Sequence, residues 1–330
     1  MTGVTAVLAK LFGVLIAPGF RGIASQKTMD LVDTVSATLA YALTALLIAL
    51  VCAASFELAR SSRVPFVIRA AIVAFSGLVV ALASPAVIGR LHSAAALMLA
   101  VVTSLIALAA GLTAVRSPHT RALGAVVTLL ALAGAVRPFS WQLYSMSADH
   151  TDLRLFDVAT ASACSGVILQ ALATLLAAIW LATRSPYAGR LGANIAVILS
   201  FALTWLGLRE TSSADSPIIA ILRTSFDQLV QPNLPFGISA VAAFLVPASI
   251  FLGLLSVIQR AHAPAIAAGL TLMLISGGAF DVPLQALAAV AGAQWALLAM
   301  GDDRGVWARL MAERQRSGVK QPTSPASPSA

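Results

Sequence analysis

Residues 116–125 read RSPHTRALGA and residues 184–193 read RSPYAGRLGA, so a short basic stretch occurs twice in nearly the same form. Each copy lies between hydrophobic runs that contain almost no charge. Proline prevents one helix from continuing into the next, and arginine in a short loop resists transfer across a membrane. The two stretches therefore predict cytoplasmic turns between helices. Their likeness has two explanations: duplication of a helical hairpin, or independent selection of the same turn residues.

The composition excludes an ordinary soluble domain. The chain of 330 residues is 59% hydrophobic and only 10% charged, whereas soluble proteins carry about 25% charged residues. The net charge of +8 comes from single or paired basic residues between apolar runs. Because no basic stripe with interleaved aromatics is present, nucleic acid is not an expected partner. The expected partner is the lipid bilayer.

Apolar runs of the length that crosses a bilayer, about 20 residues, recur along the whole chain. Two somewhat shorter runs and an N-terminal run, which either spans the membrane or lies on it, raise the number to about ten. We predict an all-α, polytopic integral membrane helix bundle, with about ten transmembrane helices arranged as hairpins in residues 1–304. Residues 305–330 are predicted to form a cytoplasmic, largely disordered Ser/Pro-rich tail. The predicted runs are 4–22, 33–59, 66–84, 92–115, 119–136, 157–183, 190–208, 237–259, 264–280 and 284–300.

The distribution of charge predicts the orientation. Basic residues predominate in the short proline-containing turns at 60–65, 116–121, 184–190 and 260–264, while the alternating connections are richer in acidic residues. Positively charged short loops stay on the cytoplasmic side. We therefore expect a multi-pass protein of the bacterial inner membrane with both termini in the cytoplasm.

The longest extracytoplasmic connection contains its own predicted helix, near 217–231. Asp215 and Pro217 are typical of a helix start, and apolar residues then recur at helical spacing up to Pro232. The segment is too short to span, so we predict an amphipathic helix at the outer interface. It serves as a lid or as a docking site for a membrane-protein partner, or it is a strap that packs on the bundle.

Several uncharged polar or helix-bending residues fall deep within predicted spans. Such side chains need partners in hydrocarbon, so they line a solute path or hold helices together. A proline in mid-helix also releases a backbone carbonyl. The candidate path residues are Ser162, Gly166, Gln170, Thr174, Pro247 and Gln294. By contrast, the charged residues Lys10, Glu57, Arg69 and Asp157 are expected near span ends.

Asp149, His150 and Asp152 form a candidate polar cluster at the outer face. Imidazole and carboxylates can bind a metal or relay protons, but a solvated loop explains the same residues. The chain has no glycine-rich phosphate loop, HExxH sequence or paired-cysteine spacing. We therefore expect no enzyme activity, no metal and no cofactor.

In helix number and size the chain resembles small bacterial permeases, including ten-helix drug/metabolite exporters, although no family motif is matched. The sequence favours a permease for a small-molecule solute, with the candidate path residues lining its route. The alternative is a non-catalytic membrane subunit or scaffold of a larger complex, joined through 217–231. An enzyme acting on lipid at the outer face is a third interpretation.

Overall fold

The structure is a computed structural model that describes residues 2–20, 24–60, 66–82, 93–115, 121–150, 153–184, 187–208, 217–229, 233–259, 264–276 and 282–300. Within these ranges the chain is almost entirely helical and has no β-strand. The helices are α1 (Thr2–Phe20), α2 (Gln26–Arg60), α3 (Phe66–Leu82), α4 (Ser93–Val115), α5 (Arg121–His150), α6 (Leu153–Arg184), α7 (Tyr187–Leu208), α8 (Pro217–Leu229), α9 (Phe236–Ile258), α10 (Pro264–Ser276) and α11 (Val282–Met300).

Seven of these helices contain apolar segments long enough to cross a membrane: α1, α2, α4, α5, α6, α7 and α9. The predicted helical membrane bundle is thus confirmed. Helices α3, α10 and α11 are apolar as well, but each offers a shorter apolar stretch over its described residues. The number of ten spans therefore stays a prediction.

Hydroxyl side chains inside the spans donate hydrogen bonds to backbone carbonyls of their own helix. The Ser76 hydroxyl donates to the carbonyl of Ile72 at 2.6 Å, and the Ser200 hydroxyl donates to that of Ala196, also at 2.6 Å. Such bonds to the preceding turn satisfy a hydroxyl without a partner helix. A high content of Ser and Thr is therefore compatible with a bundle in hydrocarbon.

Glycines allow the closest helix contacts. A Cβ on Gly269 of α10 would lie 2.9 Å from the carbonyl oxygen of Gly292 on α11. A Cβ on Gly124 of α5 would lie 2.5 Å from the backbone nitrogen of Val115 on α4. Small residues let membrane helices approach at backbone distance. These contacts help to bring together α4, α5, α10 and α11, four of the helices that enclose the site described below.

Helix α1 packs inside the bundle against α2, α9 and α10. Its segment Leu11–Ile16 is π-helical, and the Ala17 N–H donates to the carbonyl of Phe12, five residues back. Lys10 immediately precedes this segment and is fully buried. The expectation that Lys10 lies near a span end is wrong, because it falls midway along Thr2–Phe20.

Helix α8 is the predicted amphipathic helix, and it is docked on α1 and α7. The Phe226 ring is fully buried beside Gly207, where a Cβ would overlap it. The Ser225 hydroxyl donates to the Leu15 carbonyl in the π-helical segment of α1. Arg223 and Asp227 are exposed, as expected for the polar face of an amphipathic helix. These contacts favour the strap interpretation.

One local expectation is wrong. The predicted run 119–136 ends before Arg137 and the next predicted run begins at residue 157, but α5 continues through Pro138 to His150, and α6 begins at Leu153. Pro138 removes only one hydrogen bond, so the helix bends without ending. The side chains of Asp149 and His150, together with Asp152 and the tail 305–330, lie outside the described residues, as do most residues of the four basic turns.

Candidate functional site: a polar cavity inside the bundle

A cavity of about 90 Å³ lies between α4, α5, α6, α10 and α11. A water molecule needs about 10–15 Å³ of such space, so several would fit. Its apolar wall is mostly alanine, while its polar wall consists of Thr103, Ser104, Arg137, Gln170, Ser276 and Gln285. Because empty cavities in proteins are apolar, this lining favours a hydrated one.

Arg137 is the charged residue of this lining, and it lies near the midpoint of α5. Its side chain is half-buried. The guanidinium makes no hydrogen bond or salt bridge with any residue that the structure describes. A charged side chain at the centre of a spanning helix costs about 2.5–3.5 kcal/mol on insertion scales. Polar groups or water around such a side chain lower this cost, and Arg137 lies in a cavity wall with several polar groups.

Pro138 adds a backbone acceptor to the same wall. Proline has no N–H, so the carbonyl of Gly134, one turn earlier, loses its helical donor. Gly134 and Pro138 both line the cavity. On the facing helix, the Ser104 hydroxyl lies 3.5 Å from the position that a Cβ on Gly134 would occupy. The bend in α5 thus places donors and acceptors around one small volume.

Two further cavities lie along the second half of α5. The first, of about 170 Å³, is lined by Arg137, Ser140, Tyr144 and Asn233, among others. The second, of about 620 Å³, shares Tyr144 and Asn233 and reaches Leu153 at the start of α6. Arg137 therefore lines both the inner cavity and the first of these two cavities.

Tyr144 is held in place in the wall of these two cavities by two contacts with α6. Its hydroxyl donates to the Thr160 hydroxyl at 3.0 Å. Its ring packs edge-to-face on Phe156, with the centroids 5.4 Å apart. An aromatic side chain fixed at both ends can form the wall of a cavity without collapsing into it.

A second basic residue, Lys10, is fully buried in α1. Its side-chain amine donates a hydrogen bond to the Ser249 hydroxyl at 2.7 Å, next to Pro247 in α9. The carboxylates whose side chains the structure describes are all exposed, namely Asp30, Asp33, Glu57, Asp157 and Asp227. Among the described groups, no buried carboxylate therefore balances the charge of Arg137.

The candidate path residues do not all meet at this cavity. Gln170 lines it, and Gly166 packs beside it, since a Cβ on Gly166 would lie 3.6 Å from Cγ of Arg137. Thr174 is buried and donates to the carbonyl of Gln170 at 2.8 Å. Ser162 is half-buried one turn before Gly166, and Pro247 is buried in α9.

Gln294 belongs to a different polar cluster. Its side-chain amide nitrogen donates to the Ser76 hydroxyl at 2.7 Å and to the Ser55 hydroxyl at 3.0 Å. These bonds tie α11 to α3 and α2. In the cavities around Arg137, Gln294 is not a lining residue.

Sequence reasoning missed Arg137, Ser104 and Gln285. Arg137 follows directly after the apolar run 119–136 and precedes a proline. The same sequence context is typical of a residue at a helix end. One feature of the sequence could have indicated the position of Arg137. The residues after Pro138 are compatible with a helix, so the helix that contains the run 119–136 can extend past Arg137.

A larger groove, of about 610 Å³, lies between α7 and α9 but differs in character. Its wall is formed by aromatic and aliphatic side chains, with Thr204 as its polar residue. Phe201, Trp205 and Phe236 are exposed there, as is expected of a surface in contact with lipid. The polar cavity at Arg137 is therefore the better candidate for function.

Comparison of the chain with protein-family models, curated proteins and solved structures finds no match. Within the described residues, no group of three or more His, Cys, Asp or Glu side chains is placed to hold a metal ion.

Proposed function

We propose that this membrane protein is a permease for small solutes, and that the cavity at Arg137 is part of its path. The observation that carries the proposal is a half-buried arginine in the wall of a polar cavity, near the midpoint of a membrane-spanning helix. Solute sites of many transporters lie near the bilayer midplane, where broken or bent helices expose backbone groups. The bend at Pro138 gives α5 this property.

The adjoining cavities support the proposal. A site used for transport must connect with water on at least one side, and the spaces lined by Ser140, Tyr144 and Asn233 lie along the second half of α5, beside Arg137. Polar groups that served only to join helices would pack against one another, as Gln294 does with Ser55 and Ser76. The Arg137 side chain instead lines open space.

The test is solute flux through purified protein in liposomes. Vesicles are transferred to iso-osmotic solutions of small neutral or charged solutes, and swelling is followed by light scattering. We expect swelling above that of empty vesicles for at least one class of solute. Gly134→Leu should abolish it, because the added side chain would fill the cavity facing Ser104.

The matched control is Gly77→Leu. A Cβ at Gly77 meets no atom within 4 Å, so this substitution adds the same side chain outside the cavity. It should leave the flux unchanged. Absence of flux for every solute tested, or equal flux in the Gly134→Leu and unmodified proteins, would overturn the proposal.

A further inference from the structure

The cavity at Arg137 combines a cation with an apolar wall. One part of its lining is Arg137, Gln170 and Ser104, and the other is alanine with Leu130 and Met273. A guanidinium binds carboxylates through two parallel hydrogen bonds. An alanine-rich wall suits a short apolar body and offers no groups for a second charge.

The charges around the cavity point to a negatively charged occupant. The guanidinium of Arg137 has no ion-pair partner among the residues that the structure describes. The described carboxylates are exposed on the surface of the bundle. A cation within a membrane bundle is stabilised by an opposite charge beside it.

We infer that the cavity binds a small organic carboxylate, with its carboxylate on the Arg137 guanidinium and its apolar body against the alanine wall. The inference rests on the proposed function and assigns a class of solute to the same path. Arg137 is the binding residue. The solute reaches Arg137 past Tyr144 and Asn233, which line the outer cavities.

The charge preference of the cavity can be measured with one introduced cysteine. Cys52 and Cys164 are first replaced by serine, and Ser140, which lines the cavity next to Arg137, is changed to cysteine. Its modification rates are measured with a sulfonate-bearing and a trimethylammonium-bearing methanethiosulfonate, in phosphatidylcholine vesicles. Ser145→Cys is the matched control, because Ser145 is exposed near the end of the same helix.

We expect the anionic reagent to be favoured at position 140, relative to position 145, by about tenfold. Arg137→Gln should remove this preference, whereas Arg137→Lys should keep part of it because the charge remains. The comparison of positions 140 and 145 needs no change at Arg137, so it stands even if the glutamine variant fails to fold. Equal preference at both positions would overturn the inference.

The class of anion is tested by protection. Pyruvate should slow modification at position 140, its neutral amide should not, and Arg137→Gln should abolish the protection by pyruvate. Protection by inorganic phosphate but not by pyruvate would overturn the assignment to carboxylates. The outcomes also separate the two proposals. Swelling by neutral solutes without charge preference contradicts only the anion site, while charge preference without any flux contradicts only the permease.

Discussion

The Lys10 ammonium in α1 donates a hydrogen bond to the Ser249 hydroxyl in α9 at 2.7 Å, joining residues 239 positions apart in the chain. The Ser249 hydroxyl in turn donates to the carbonyl of Val246 at 2.7 Å, one residue before Pro247. A fully buried lysine is thus attached to the bend of a membrane-spanning helix. Its presence there calls for an energetic explanation, because hydrophobic residues would fill the same space at lower cost.

This contact predicts a measurable coupling. In a double-mutant cycle, Lys10→Met and Ser249→Ala should couple by about 1.5 kcal/mol, the lower end of the range for a hydrogen bond to a charged group. Lys10→Met alone should leave the free energy of unfolding unchanged or raise it, because it removes a buried charge. The measurement is unfolding in mild detergent. Ser256→Ala, elsewhere on α9, is the control and should combine additively with Lys10→Met.

A loss of several kcal/mol in Lys10→Met would show that Lys10 is retained for stability. An unchanged or more stable variant would agree with the prediction.

The docking of α8 depends on two glycines, Gly207 beside Phe226 and Gly19 beside Ile221. A Cβ on Gly19 would lie 2.5 Å from a side-chain carbon of Ile221 and 2.7 Å from its carbonyl oxygen. Gly19→Ala should therefore displace α8 and cost about 1–3 kcal/mol, the usual range for overpacking. Hydrogen exchange should become faster across Pro217–Leu229. Gly237→Ala is the matched control, because a Cβ there meets nothing within 4 Å. Unchanged exchange in Gly19→Ala would contradict the described docking.

Substitution of the buried residues Gln294 and Gln170 should have different effects on stability and flux. Gln294→Leu breaks hydrogen bonds to Ser55 and Ser76, so it should lower the free energy of unfolding by about 1 kcal/mol. It should leave flux intact. Gln170→Leu places an apolar side chain in the cavity wall, so it should reduce flux. Thermal unfolding and vesicle swelling measured on both variants check this contrast. A loss of flux confined to Gln294→Leu would contradict our assignment of the path.

The bundle could be predicted from the sequence because each membrane-spanning helix needs its own long apolar run, and such runs recur along the whole chain. Hydrocarbon demands long apolar helices, and each run in the sequence shows one. The helix at Pro217–Leu229 could also be predicted, since its start residues and its apolar spacing lie within a few positions of one another. Its partner on the bundle was not, because the Ser225–Leu15 contact joins residues 210 positions apart.

The candidate site was only partly predictable. Gln170 was identified because an amide in mid-span needs a polar neighbour. Arg137 and Lys10 were not, because a single charge beside a proline or near a chain end has the same appearance as a residue at a membrane surface. Their depth depends on where each helix stops, and α5 continues beyond the point where its apolar run ends. Pairing of polar residues across helices leaves no local pattern in one sequence.

The orientation in the membrane is a separate prediction. The basic turn at 116–121 should face the cytoplasm, and the exposed Ser145 near the other end of α5 should face outward. In intact bacterial cells, an impermeant thiol reagent should label Ser145→Cys, and should label Ser117→Cys only after permeabilisation. The reverse pattern would place the route at Tyr144 on the cytoplasmic side.

The central claim is that water reaches the cavity at Arg137, and neighbouring positions on α4 test it most directly. Ser104 lines the cavity, whereas Leu105 is exposed on the outside of the bundle, where lipid would surround it. In the background without native cysteines, Ser104→Cys should react with a small hydrophilic thiol reagent in vesicles and Leu105→Cys should not, because the reactive thiolate forms only in contact with water. Equal inertness at both positions would contradict the account, since the cavity would then be dry.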